Sequence, residues 1–324
     1  MPVTANTELS YDVTTIREDL RDAYDSISPM DMPFQKMIGR GKAKQVYHEF
    51  HELDLASPDS ANRVLEGEAN PATDAATLSV RKGNYCQLSD KKVTVSSTAN
   101  ASNGAGNVQT LATQVSLKLK EIKRDVEVMF LDNVAANPGA AATARAAAGF
   151  PAHIVTNVNR GAGGANGSTS GAGGAGYVDT AAVNGTLRAL TENMLKSIIQ
   201  QCWTNGAEPK TVMCGGLVKQ KISTFSGNNM VRNGVADKEK LYTAIDVYVS
   251  DFGTLQITPN RFQRARDVLV IDPEYITQDW LQPMKQTPLA KTGHADERLI
   301  AGEYTLSVRS EKAQGLIADI DGSL

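Results

Sequence analysis

Four groups of residues in this chain invite a chemical reading. His48-Glu49-Phe50-His51-Glu52 places two imidazoles beside two carboxylates, the ingredients of a zinc site. A zincin helix needs two residues between its glutamate and its second histidine, and here there is one. The surrounding alternation is that of a strand, on which His48 and His51 point to opposite faces, so no metal is expected there. Gly171, Gly173 and Gly176 have GxGxxG spacing. A dinucleotide fingerprint follows a hydrophobic strand, whereas here Ser168-Thr169-Ser170 precede it within more glycine, and no GK[ST] phosphate loop exists. Asp272 and Glu274 fall in a turn expected to be charged and exposed, where such pairs solvate a surface far more often than they act as acid and base. Cys86, Cys202 and Cys214 are widely separated and odd in number. They read as reduced, buried or semi-buried thiols of a protein folded in a reducing cytoplasm. With no GxSxG elbow either, the sequence offers no catalytic residues, no cofactor and no metal.

The elements that carry these residues are organised around one stretch, Asn107 to Ala136. Val108, Leu111, Ala112, Val115, Leu119, Ile122, Val126, Met129 and Phe130 recur at spacings of three and four, which predicts one long helix with a core-facing stripe. At 1.5 Å per residue it would run roughly 45 Å. Lys120, Glu121, Arg124, Asp125 and Asp132 point elsewhere, and Lys123 with Glu127 has the spacing of an exposed ion pair. Leu117, Val128 and Leu131 form a second, sparser apolar line on the opposite side. A helix packed on one partner has no use for that line, so something else is expected to cover it.

Before this helix, residues 1–44 read as an arm. Thr15 to Glu18 fits a capping box opening a short helix through Ile27, a second short helix follows Pro33 through Ile38, and the basic run Gly39 to Lys44 leads out as a solvated loop. From Gln45 to Ser97 the pattern is a long two-stranded excursion with a loose polar tip. Such a ribbon is marginal in water without a second layer. After the Asn137-Pro138-Gly139 stop come an alanine-rich piece and FPAHIVTNVN, read as extended. Arg160 to Tyr177 is nearly half glycine, too poor in apolar area to offset its ordering entropy, and is expected to be a mobile surface loop. Asn184 to Thr204 reads as a helix, Thr211 to Cys214 as a buried strand, and Leu217 to Phe225 as a helix resting on Leu217, Ile222 and Phe225. Residues 243–262 alternate as a hairpin turning at Ser250 to Gly253. Asp267 to Pro273 is a strand buried on both faces, and two more strands flank the turn-prone Arg309 to Gln314.

Composition bounds the function. The 324 residues suggest about two lobes, and a hydrophobic content of 41% with 6% aromatics makes the core thin. A formal net charge of −3 gives no electrostatic case for wrapping DNA. The start lacks the pattern of a signal peptide, and no apolar run approaches a membrane span. A two-lobed α+β chain with a detached arm, a ribbon lacking a partner and no reaction centre favours assembly over catalysis.

The serial order of several segments resembles the major capsid proteins of tailed bacteriophages with the Hong Kong 97-like fold. ISPMDMPFQKMIGRGKAKQVYHEF is similar to the family's arm leading into its extended loop, where members often carry Trp at the place of Phe50. GNYCQLSDKKVTVSSTA, KEIKRDVEVMFLDN and ARAAAGF follow in the family's order. DFGTLQITPNRF, VLVIDPEYI, LAKTGHADERLIAGEYTLSV and AQGLIADI are the most specific. The glycine-rich run departs from the pattern and reads as a lineage-specific insertion.

This resemblance implies an N-terminal arm (1–44), an extended β-loop (45–98), a peripheral domain (99–184 with 266–324, carrying spine helix 107–136 and insertion 160–177) and an axial domain (185–265). It implies self-assembly into hexamers and pentamers of an icosahedral head enclosing double-stranded DNA, without sequence-specific contact. Partners would be a separate scaffold, a portal and decoration proteins, with no membrane, in a virion assembled in the host cytoplasm. Val46, Phe50, Tyr85, Leu117, Val128 and Leu131 are the residues expected to meet neighbours. Lys82, Lys91 and Lys92 lie near the loop, but no motif marks a cross-link. The alternatives are an encapsulin-like nanocompartment and a nucleotide-binding enzyme using the glycine-rich loop.

Overall fold

The computed structural model describes residues 28, 30–63, 65–67, 76–102, 110–171, 175–225, 246–291 and 293–321. The helix expected over residues 15–27 and, within the ribbon's expected loose tip at 56–77, residues 64 and 68–75 lie outside them. In chain order, helix α1 (Pro33–Met37) precedes strands β1 (Gly39–Lys42), β2 (Tyr47–Glu52), β3 (Val80–Tyr85) and β4 (Gln87–Ser96). Helices α2 (Ser97–Ala101), α3 (Leu111–Leu131) and α4 (Phe150–His153) follow, then strands β5 (Val158–Asn159), β6 (Ser168–Thr169) and β7 (Val178–Thr180). Helix α5 (Glu192–Thr204), strand β8 (Thr211–Cys214) and helix α6 (Gly216–Ser223) lead to the strands β9 (Val247–Ser250), β10 (Gly253–Pro259) and β11 (Val268–Ile271). The last strands are β12 (Ile276–Pro288), β13 (Ala295–Val308) and β14 (Gly315–Ile317).

Two sheets carry the architecture, with strand orders β1-β12-β13-β4 and β5-β14-β11-β8-β10-β9. The second sheet is a wall between two cores, because successive side chains on a strand point to opposite faces. Leu269 and Ile271 of β11, Met213 of β8 and Leu316 of β14 join one core with Val126, Phe130, Phe150 and Tyr304. Their neighbours Val268, Val270, Val212, Cys214 and Ile317 join the other, with Leu195, Ile198 and Ile199 of α5 and Val218 and Ile222 of α6. Strand β11 is therefore buried on both faces, as its unbroken apolar run predicts.

Helix α3 begins at Thr110, whose hydroxyl accepts from the Thr113 amide at 3.4 Å. It stops at Leu131, short of the predicted Ala136. Asp132 is extended, and the Asn133 side chain donates to Ala182 O (2.6 Å) while accepting from Ala182 N (3.2 Å), which draws the chain out of helical register. Val115, Ile122, Val126 and Phe130 are buried as predicted, while Ala112 is exposed. Glu127 overturns the expected surface ion pair with Lys123. Its side chain is fully buried, with Phe34 N donating to Oε1 (2.9 Å), Gln35 N to Oε2 (3.0 Å) and Asn260 Nδ2 to Oε1 (2.8 Å). Gln35 Nε2 also donates to Lys123 O at 2.8 Å.

Other boundaries shift for tertiary reasons. The returning limb of the ribbon splits: β3 pairs with β2, while β4 pairs along its whole length with β13 in the long sheet. Residues 184–191 are not helical, because Arg188 N donates to Asp319 O (2.9 Å) and Asp321 N to Arg188 O (2.8 Å), holding that stretch extended before α5. Helix α6 rests on Val218 and Ile222 and leaves Leu217 exposed. Phe150 to His153 forms one helical turn with Pro151 in its first positions, a place suited to proline. The β9–β10 hairpin turns where expected, with Gly253 opposite Ser250.

Glu127→Ala is expected to lower the free energy of unfolding by about 3 kcal/mol, because it strands three donors, those of Phe34 and Asn260 buried and that of Gln35 partly so. Urea denaturation of the unassembled chain measures it. A change below 0.5 kcal/mol, roughly the scatter of surface substitutions, would show that the clasp contributes nothing.

Candidate assembly surface

The ribbon of β2 and β3 leaves the body at a dense root. Tyr47 and Tyr85 are opposed in register with ring centroids 4.9 Å apart, and Tyr177 stands edge-on to Tyr85 at 5.0 Å. Beside them the buried Asn84 side chain donates to Leu306 O (2.9 Å) and Ala148 O (3.2 Å) and accepts from Ala148 N (2.9 Å). These bonds fasten β3 to the long sheet, and Cys86 N donates to Val46 O at 2.8 Å as the two limbs part. Asn84 Nδ2 also lies 3.3 Å from His153 Nε2, an arrangement in which the unprotonated ring nitrogen accepts. Burial, with repulsion from the Lys82 ammonium, pushes this imidazole down to about 4. Lys82 itself pairs with Glu52, and Glu311 lines the same cavity of about 390 Å³.

Beyond the root the ribbon is poorly covered. Leu53, Leu55, Leu65 and Leu78 are exposed, Leu55 at 85%. These leucines stand singly in a polar stretch, a signal that periodicity counting passes over. Arg81 holds Glu49 across the strands at 2.5 and 2.6 Å, and Lys312 pairs with Asp54 from the body. A further apolar group, Val183, Leu187, Trp203, Val247 and Val249, is exposed elsewhere.

The six residues expected to meet neighbours fall into two sets. Val46, Phe50 and Tyr85 belong to the ribbon. Val46 is 38% exposed, Phe50 is half-buried, and Tyr85 is partly covered within the tyrosine cluster. Leu117 and Val128 lie on α3, half-buried and 44% exposed respectively. Leu131 is a correction: it is fully enclosed in the core that also holds Phe34, Phe150 and Ile154, so its own chain already covers it.

The chemically suggestive residues are built into the fabric. His48 faces Asp279 at 3.3 Å, while His51 is exposed on the other side of the strand. Among the described residues no group of three or more His, Cys, Asp or Glu side chains is placed to hold a metal. Asp272 is not in an exposed pair with Glu274. It is buried, accepts from Glu274 N at 3.2 Å, and has its backbone bonded on both sides by the Gln314 amide. The three thiols are free and buried, and burial pushes Cys86 up to about 11 and Cys202 and Cys214 to about 12.

Over its described residues the glycine-rich run is not a free loop. Ala165 and Val183 exchange backbone bonds at 3.1 and 2.8 Å, β6 pairs with β7, and Gly161 N donates to the buried Asp319 at 3.1 Å. Its small residues let backbones meet: a Cβ on Gly161 would lie 2.1 Å from Thr186 O. Backbone bonding here offsets the entropy that composition alone could not. No helix opens after Gly176, where a phosphate site would need one, since β7 follows.

Comparison with known proteins places this geometry. A family described as SU10 major capsid protein matches residues 3–321. The chain belongs to that capsid protein family. The major capsid protein of Escherichia phage Phieco32 is 34% identical over 128 residues, which are 39% of this chain and only 36% of the relative's length. The cyanophage A-1(L) capsid asymmetric unit superposes with a TM-score of 0.64 at 11% identity, over 97% of this chain and 99% of that one. The SrpI encapsulin of Synechococcus elongatus reaches 0.51 at 10% identity, over 93% and 94%. The fold of this SU10-family capsid protein is the Hong Kong 97-like α+β fold.

The capsid protein's ribbon root titrates. The His153 pKa is depressed on folding, so the stabilisation is fully present above about pH 6.5 and is lost as pH falls through about 4. The residue is half-buried by surface exposure, so the loss is expected at about 1–2 kcal/mol, below the ~3 kcal/mol a fully buried group would carry. His153→Gln should flatten this slope in unfolding curves taken between pH 4 and 7. An unchanged slope would assign the titration elsewhere.

Proposed function

We propose that this chain is the shell subunit of a tailed-phage head, closing through copies of itself into hexamers and pentamers around packaged double-stranded DNA. The match to a major capsid protein family over residues 3–321 carries this reading. The physical chemistry supports it. A subunit with exposed apolar side chains on the ribbon, on α3 and on β9 gains from neighbours the cover that its own chain leaves out. Heterologous contacts that close by rotation generate rings, and obligate interfaces of about 2,000–5,000 Å² are of the size needed. Shell formation of this kind asks for no reaction centre, and none of the chemically suggestive groups assembles one.

We assign residues 1–44 to the arm, 45–98 to the extended loop, 185–265 to the axial domain, and 99–184 with 266–324 to the peripheral domain. Within the loop the ribbon proper ends near Cys86, where β4 joins the long sheet. Assembly in the host cytoplasm with a separate scaffold and a portal belongs to the same proposal. A cellular nanocompartment is the second reading, resting on the encapsulin likeness. Enzyme cargo in place of DNA would mark it.

Electron microscopy and sedimentation of the chain, expressed alone and beside its genomic neighbours, test the proposal. Capsomers, tubes or closed shells of one wall thickness are expected, and a strictly monomeric species under every condition would refute it. Val46→Asp and Val128→Asp should leave unfolding within about 0.5 kcal/mol of wild type while reducing particle yield. Leu131→Ala should instead cost about 2–5 kcal/mol in the monomer, as a core truncation does.

A further inference from the structure

The glycine-rich run is tied at its two ends to different parts of the molecule. At the leading end, Gly161 N donates to Asp319 Oδ2 (3.1 Å) and Thr186 N donates to Ala162 O (2.9 Å). Asp319 is itself fixed, fully buried at a left-handed φ of 62° with Arg266 donating to its Oδ1 at 2.7 Å. At the trailing end, Gly83 N donates to Gly176 O (2.9 Å) and Gly176 N donates to Arg81 O (2.8 Å). Gly176 thus adds a parallel bridge to the edge of β3 that β2 leaves open. The next residue, Tyr177, packs edge-on to Tyr85 at 5.0 Å and stands 6.1 Å from Tyr47, so it touches both limbs of the ribbon.

Past this root, a cleft of about 420 Å³ lies between residues 51–54 and residues 205–207, 274–275, 309–310 and 313. The Lys312–Asp54 pair crosses there, exposed to solvent and therefore weak. A two-stranded ribbon does not hold its own direction in water. Its direction is set at the root.

We propose that residues 160–171 and 175–177 form a strap that fixes the angle of the β2–β3 ribbon against the Asp319 region, presenting the ribbon already oriented to a second copy of the chain. The inference rests on the shell reading for its purpose, though not for its geometry. Pre-orientation removes ordering cost at the moment of association. It also gives the glycines a constructive role, since Gly176 sits at φ +84° and donates and accepts through its backbone alone.

Gly176→Pro tests the strap, because proline fixes φ near −65° and removes the N–H that bonds Arg81. Tyr177→Ala tests it with the backbone left intact. In hydrogen exchange on the unassembled chain, both variants should exchange the amides of Arg81 to Tyr85 at least ten-fold faster than wild type. The amides of β11 should keep their protection, which shows that the body remains folded. Under assembly conditions both variants should give open sheets or shells of mixed size. Wild-type exchange at β3 in both variants would overturn the strap, and faster exchange with shells of wild-type size and yield would overturn its role in presentation. Failure of the wild-type chain itself to assemble would refute the shell reading, and the exchange result would still judge the strap.

Discussion

The Glu127 carboxylate lies where three stretches far apart in sequence meet, and the arrangement of the subunit depends on it. It takes amide protons from Phe34 and Gln35 at the start of α1 and from the Asn260 side chain after β10, while riding on α3. Burial pushes the carboxyl above its ordinary range, and the three donors pull it back toward the ionised form. A charge so placed is unfavourable unless every partner is present, so the clasp is cooperative: arm, spine and hairpin are correct together or not at all. Phe34 is seated by the same interaction, against Phe130 at 6.1 Å and Phe150 at 5.4 Å.

Around this clasp the six-stranded sheet divides the interior. Its short central strands are apolar on both faces, which lets one layer serve two cores. The helices α5 and α6 cover one side, and the long sheet with α3 and α4 covers the other.

Much of this was legible in the sequence because strand and helix periods report which face is buried. The apolar run of β11, the β9–β10 hairpin and the stripe from Val115 to Phe130 needed no further information. What failed was local inference at places governed by distant partners. Glu127 read as half of a surface pair because its three donors lie far away in sequence. Leu131 read as a second face because α1 and α4, which enclose the end of the helix, leave no mark on the spacing within it. The ribbon's returning limb changes sheets at Cys86, but strand alternation continues unbroken across that point. Glycine content suggested an unstructured loop, yet the same composition permits backbones to bond at a separation that side chains forbid. For the assembly residues, spacing singled out Val128, which is exposed, and it overlooked the solitary leucines of the ribbon.

The order of strands in the six-stranded sheet bears on how the subunit is made. Strand β14, at Gly315–Ile317, is inserted between β11 and β5, and β5 touches the rest of the sheet only through it. Synthesis therefore delivers Val158 and Asn159 long before anything exists for them to pair with, and pairings of such long sequence separation form slowly. Until residues beyond 315 have emerged, Arg188 has no Asp319 to bond and Gly161 has no carboxylate to meet. The sheet is thus closed by a pairing that spans more than 150 residues of sequence, and its edge strand β5 is held in place by a strand that is itself wholly buried.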